Sequence, residues 1–221
     1  MDDFNIHIIR KEVKHLTVKV KPTGEVILTA PIGTTDDYIQ RVIKKRTKWI
    51  KAKLTFFKQT RKPIKELVSG ENFEYLGRNY RLKVYESKKE YAKLQRGYFE
   101  LYVKNKNDFK RKEKLIYDWY YEKATLHFFN ILLKFNKITK QDINDLRIRQ
   151  MKTRWGSCNY YKKFINLNLE LIKKSKKSIE YVIFHELTHL IHPNHSSEFY
   201  RYLTLYMPDW KQRKDLLEMI N

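Results

Sequence analysis

The chain has 221 residues, 42% of them hydrophobic and 14% aromatic, a single cysteine (Cys158), and a formal net charge of +22. That length carries one large domain or two small ones with a real core, and the aromatic content excludes a disordered chain. One cysteine excludes an internal disulfide framework and a cysteine-based zinc finger, so a reduced, cytoplasmic setting is expected.

The opening MDDFNIHIIRK carries acids and no apolar segment, so no secretory signal is expected. The longest greasy stretch, His127 to Phe135, is broken by Asn130 and Lys134 and is too short to span a bilayer, so no membrane partner is expected. Charge is uneven. Residues 141–221 hold 14 Lys+Arg against 9 Asp+Glu, which leaves a surplus of 17 in residues 1–140. Such a field concentrates polyanions, so a nucleic acid is one expected class of partner, beside the plainer reading of a solvated, lysine-rich surface.

In chain order, residues 4–30 read as strands. Phe4, Ile6 and Ile8 alternate, as do Leu16, Val18 and Val20, and Val26-Ile27-Leu28 follows a Pro22-Thr23-Gly24 turn. Pro31-Ile32-Gly33 breaks the pattern, and Thr35 before Asp36 and Asp37 starts a helix to about Gln59. Its expected apolar stripe is Tyr38, Ile39, Val42, Ile43, Trp49 and Ile50. Ser69-Gly70-Glu71 opens a second β region with hairpin turns at Gly77-Arg78-Asn79 and Arg96-Gly97. A long helix is expected from near Asp108 to about Phe135, packing through Leu115, Trp119, Leu126, Phe129 and Leu133. Leu146–Met151 and Phe164–Leu171 read as strands around a Trp155-Gly156-Ser157 turn, and a helix runs from about Ser178 to His192. Two short helices follow, one over Ser196–Tyr206 and one after Pro208. The class is α+β, with a β-rich region over residues 1–105 and a second domain over 106–221.

Four of the seven histidines fall in HELTHLIHPNH, residues 185–195. On a helix, His185 and His189 lie about 40° apart on one face, so two neutral imidazoles reach one Zn2+ at roughly 2.0–2.1 Å. Glu186 stands beside that metal, where a carboxylate takes a proton from water whose pKa the cation lowers toward ~7. This is the HExxH arrangement of zinc hydrolases. A catalytic zinc takes three protein ligands, and Pro193 turns the chain so that His195 is the expected third. His192 and Glu198 are the fallbacks, with a helix-capping role the simpler reading of His192. The spacing from His189 to His195 also matches the metzincin pattern, but His192 stands where that pattern needs a turning glycine. Met207-Pro208 is read as the break between two helices.

Arg154-Trp155-Gly156-Ser157-Cys158, Ile165-Asn166-Leu167-Asn168 and HELTHLIHPNHSSEF together resemble the YgjP-like metallopeptidase family, related to the SprT-like and WLM zinc peptidases. Val18-Lys19-Val20 through Gly24 to Ala30-Pro31, Lys48-Trp49-Ile50 and Tyr75-Leu76-Gly77 extend the resemblance over nearly the whole chain. It implies a β-rich N-terminal region and a compact zincin-like unit with a small antiparallel sheet beside the HExxH helix. It also implies His185, His189 and His195 as zinc ligands, Glu186 as general base, and a protein or peptide substrate. Related SprT-like and WLM proteins include DNA-associated proteases, an analogy that fits the charge.

Three residues near this motif read first as packing. Trp155 anchors a tight turn or walls the cleft, Cys158 is a small core thiol with no sign of a nucleophile, and Tyr181 packs one turn before His185. The Phe164–Leu171 strand is expected at a sheet edge, where an extended peptide pairs with it. Two rival functions stand beside the peptidase: a basic nucleic-acid-binding protein with a structural or vestigial zinc site, and a zinc hydrolase of non-peptide substrates.

Overall fold

A computed structural model describes residues 4–21, 23–59 and 66–218, so Pro22 of the first expected turn lies outside the described residues. The chain forms two compact units, residues 1–64 and 65–221. The boundary expected near residue 105 falls inside the second, because the strands before it and the helices after it share one core that runs from Phe73 to Leu217.

The first unit holds β1 (Ile6–Lys11), β2 (Thr17–Val20), β3 (Val26–Pro31) and α1 (Asp36–Gln59). β3 is central, parallel to β1 and antiparallel to β2. Its alternation buries Val26, Leu28 and Ala30 on one face, where they meet Ile39, Ile43 and Ile50 of α1. Tyr38 and Trp49, expected on that stripe, are exposed. Each sits next to a buried isoleucine, and one residue of helix is a rotation of about 100°.

The second unit opens with a four-stranded sheet in the order β4-β5-β7-β6: β4 (Asn72–Tyr75), β5 (Arg78–Glu86), β6 (Tyr91–Gln95) and β7 (Tyr98–Val103). The turns joining β4 to β5 and β6 to β7 are two residues long, Leu76-Gly77 and Arg96-Gly97, with all four φ angles positive. That is the twist-matched hairpin geometry, and it draws Arg78 and Asn79 into strand β5. The first hairpin also braces the segment that leads into a later helix. Leu76 and Gly77 donate to the carbonyls of Ile172 and Lys173, and a β-carbon on Gly77 would lie 2.9 Å from Cα of Ser175, the N-cap of helix α3 (Lys176–Thr188).

Helix α2 (Phe109–Thr139) is capped by Asp108, whose side chain accepts from the Arg111 amide. Of the five residues expected to pack, only Trp119 is buried, and Leu126, Phe129 and Leu133 are exposed. The buried row is instead Lys112, Ile116, Tyr120, Ala124, Phe128 and Leu132, every fourth residue. A row at that spacing drifts around the helix, because α2 packs first on the β4–β7 sheet and later on α3. Phe73 stacks on Tyr120 early in the helix, and Phe135 meets Phe184 of α3 late in it.

The second sheet has the order β8-β10-β9: β8 (Asp145–Arg149), β9 (Gly156–Asn159) and β10 (Phe164–Asn168). β9 pairs antiparallel with β10 and β8 parallel, so the sheet is mixed. β10 is therefore central, which corrects the expectation of an edge strand, and residues 169–173 turn into a 3₁₀ segment rather than continuing it. β9, expected to be a turn, is an edge. Three helices complete the unit: α3 (Lys176–Thr188), α4 (Ser197–Tyr206) and α5 (Trp210–Glu218). Among the described residues, no helix is long and apolar enough to cross a membrane.

Candidate metal centre

The geometry of the site begins with where α3 stops. Ser175 caps its N-terminus by accepting from the Ser178 amide, and Ile179, Ile183 and Leu187 bury one stripe. The helix ends at Thr188, a turn earlier than expected, with His189 as its C-cap. Pro193 follows, and Ser196 caps α4 by accepting from the Phe199 amide. This tight return brings His195 back against the helix it has left.

The ligand atoms of His185, His189 and His195 all lie within 4.8 Å of one another. Nε2 of His185 and Nε2 of His195 are 3.0 Å apart. Two nitrogens bound tetrahedrally at ~2.0–2.1 Å would stand ~3.3 Å apart, so this spacing fits a shared ion. Nδ1 of His189 lies 3.3 Å from the carbonyl oxygen of His192. A carbonyl only accepts, so Nδ1 carries the proton and Nε2 keeps its lone pair for a metal. Burial, reinforced by His189, His195 and Lys214, pushes the His185 imidazole down to about 3, and burial also lowers His189. Both are neutral at pH 7, the state in which imidazole binds a cation. The donor set fits zinc.

The two fallback ligands are elsewhere. The His192 ring packs on Tyr202, and only its backbone carbonyl turns toward the triad. Glu198 accepts from the Ser197 hydroxyl and is exposed.

Sequence reasoning missed Phe199. Its ring is fully buried and lies 5.0, 4.7 and 4.9 Å from the rings of His185, His189 and His195, an apolar floor under all three. Its signals were its place at the end of the HELTHLIHPNHSSEF motif and three residues after Ser196, with no role assigned to it.

Glu186 is buried, at 6% exposure, and burial pushes its carboxyl up to about 8 against the opposing pull of Arg154. It lines a cavity of about 320 Å³ together with His185, Trp155, Gly156, Tyr181 and Lys214. Gly156 opens β9 directly against it: a β-carbon there would stand 2.7 Å from Glu186 Oε1 and 2.8 Å from its Cγ. The Trp155 turn thus walls the cavity as well as packing, with the Lys174 ammonium 5.1 Å above its ring.

That wall is fixed by Asn168, a second residue without an assigned role in the sequence. Its side-chain amide donates to the carbonyls of Met151 and Arg154 at 2.7 and 2.9 Å, and its backbone amide donates to the Trp155 carbonyl at 2.8 Å. Cys158, on β9, is half-buried, and burial with the nearby Glu186 charge pushes its thiol up to about 12, which leaves it protonated and inert. Tyr181 is buried between His185 and Trp210.

A family model described as "YgjP-like, metallopeptidase domain" matches residues 14–219. Among solved structures, the chain is similar to the metallopeptidase zymogen of Pyrococcus abyssi abylysin, with 23% identity and a TM-score of 0.38 over 42% of this chain and 90% of that one. It is also similar to the metallopeptidase zymogen of Methanocaldococcus jannaschii jannalysin, with 23% identity and a TM-score of 0.37 over 42% and 88%. A curated relative, interleukin-6 of Neovison vison, is 38% identical over 47 residues, which span 21% of this chain and 38% of that protein's length.

Proposed function

The chain belongs to the YgjP-like metallopeptidase family, and from that premise we propose that it is a zinc-dependent peptidase in which His185, His189 and His195 hold the metal and Glu186 is the general base. One observation carries this reading: three imidazoles converge at the end of α3, and the helix's buried carboxylate opens into the cavity that His185 shares.

When bound, zinc supplies Lewis-acid polarisation of a carbonyl and acidifies water. The chain's own groups do the rest. Burial alone would hold Glu186 protonated at neutral pH; a cation held by the three histidines would favour its ionised form, and as a carboxylate it would accept a proton from the attacking water and return it to the departing amine. Trp155 and Tyr181 exclude bulk solvent from one side of the cavity, and the His192 carbonyl orients His189. β9, an edge strand that begins at Gly156 beside Glu186, presents its outer edge for pairing with an extended peptide. That edge favours a peptide over a small ester or amide. Three convergent ligands rather than four among the described residues favour a catalytic over a structural ion, since a fourth position is left for water and substrate.

The test is hydrolysis of an unfolded protein such as casein by zinc-loaded protein, before and after removal of the metal with a chelator. Cleavage that stops on chelation and returns with added zinc supports the proposal. Cleavage that survives complete metal removal rules it out.

A further inference from the structure

The candidate metal centre is built from residues of the second unit, and the first unit carries a charge pattern of its own. Residues 1–64 hold 15 Lys+Arg against 6 Asp+Glu, and from Tyr38 to Gln59 helix α1 carries eight basic residues and no acid. The two acids of α1 are in its first turn, and Asp36 is paired with Arg10. The apolar face of α1 is consumed internally, with Ile39, Ile43 and Ile50 buried on the β1–β3–β2 sheet. At 100° per residue, Arg41, Lys44, Lys45 and Lys48 fall within an arc of about 100° directly opposite that stripe, along roughly 10 Å of helix. All four are exposed, and exposed Tyr38 and Trp49 flank them.

We propose that this outward face of α1 is a docking surface for the phosphate backbone of a nucleic acid. It goes beyond the peptidase reading and stands independently of it. Charge complementarity carries the argument: a row of cations without intervening acids matches a ligand whose anions repeat regularly, and each phosphate neutralised releases condensed counterions. A bilayer is disfavoured, because an interfacial helix must bury its apolar stripe in lipid and this stripe is already packed. A protein partner is disfavoured too, because protein interfaces are built on an apolar centre and the centre of this face is four cations.

The experiment uses the full chain and fluorescent 20-base-pair duplex DNA, with the corresponding single strand as a second probe, titrated across a salt series. The triple variant Arg41→Glu/Lys45→Glu/Lys48→Glu is expected to bind at least ~10-fold more weakly, with the slope of log K against log salt for the duplex reduced by ~2.7. The control is Lys88→Glu/Lys89→Glu/Lys106→Glu, which changes net charge equally at exposed sites of the second unit and is expected to keep affinity and slope near wild type. Equal losses in the two triples, or no loss in the first, would overturn the proposal, as would binding to phosphatidylserine vesicles in preference to both DNA probes. If the glutamate triple fails to fold by circular dichroism, the glutamine triple at the same positions is read by the same criteria.

Discussion

Gly156 and Glu186 occupy adjoining space: a β-carbon on the glycine would lie 2.7 Å from the carboxylate oxygen Oε1. The glycine has no positive φ to explain it, so its role is to leave room. Gly156→Ala must displace the carboxylate, and it is expected to lower kcat about 10- to 100-fold while metal content stays unchanged. Overpacking should cost ~1–3 kcal/mol of stability. In a Glu186→Ala background the same alanine should cost almost nothing, which a double-mutant cycle measures by thermal melting. Full activity in Gly156→Ala would show that the carboxylate needs no such clearance.

Phe199 supports all three imidazoles from below. Phe199→Leu keeps the site apolar but loses the flat floor, and zinc affinity measured against a competing chelating dye is expected to fall ~10-fold or more. Phe199→Ala should also destabilise the fold by ~3–5 kcal/mol. An unchanged affinity in the leucine variant would reduce Phe199 to packing.

His192 and His195 separate by what they present. His195 offers its ring to the triad and His192 only its carbonyl. His195→Ala is therefore expected to lose zinc on dialysis, whereas His192→Ala should retain about one equivalent by elemental analysis. The opposite outcome would move the third ligand to His192.

Stability toward acid should reveal the tie between α3 and α5. Burial raises the Glu180 pKa, but hydrogen bonds from Lys134 and Arg213 more than offset it, so the net shift is below the ordinary 4.5. A carboxyl depressed in the folded state stabilises fully above its unfolded pKa, and that contribution is lost as pH falls through the folded value. The melting-temperature gap between wild type and Glu180→Gln, ~2–4 °C per kcal/mol at this chain length, should be constant at pH 6–7.5 and should close below about pH 4.5. Taking the difference cancels the titration of the site histidines, which both proteins share. A gap that persists undiminished at pH 3 would refute the assignment.

How much of this was legible in advance depended on how local the cause was. Alternation placed β1 and β2, Thr35 before Asp36 and Asp37 placed the start of α1, and the four-residue spacing put His185 and His189 on one helical face. What failed depended on partners that the sequence does not display. The packing row of α2 drifts because two different surfaces cover its two halves, so Leu126, Phe129 and Leu133, regular in sequence, face outward. α3 is regular only to Thr188 because its last turn tightens: Leu190 and Ile191 donate to the carbonyls of Leu187 and Thr188, three residues back, before Pro193 follows. β10 is central only because β8 joins in parallel, a non-local pairing. Phe199 and Asn168 were visible as letters, but their roles come from what the fold brings over them.

The most direct measurement is Glu186→Gln, read by zinc content and turnover on the same preparation. The substitution keeps the shape and removes the base, so zinc should remain near one equivalent while peptide hydrolysis falls by at least ~10²-fold. A variant that binds zinc and still cleaves at the wild-type rate would contradict the central claim.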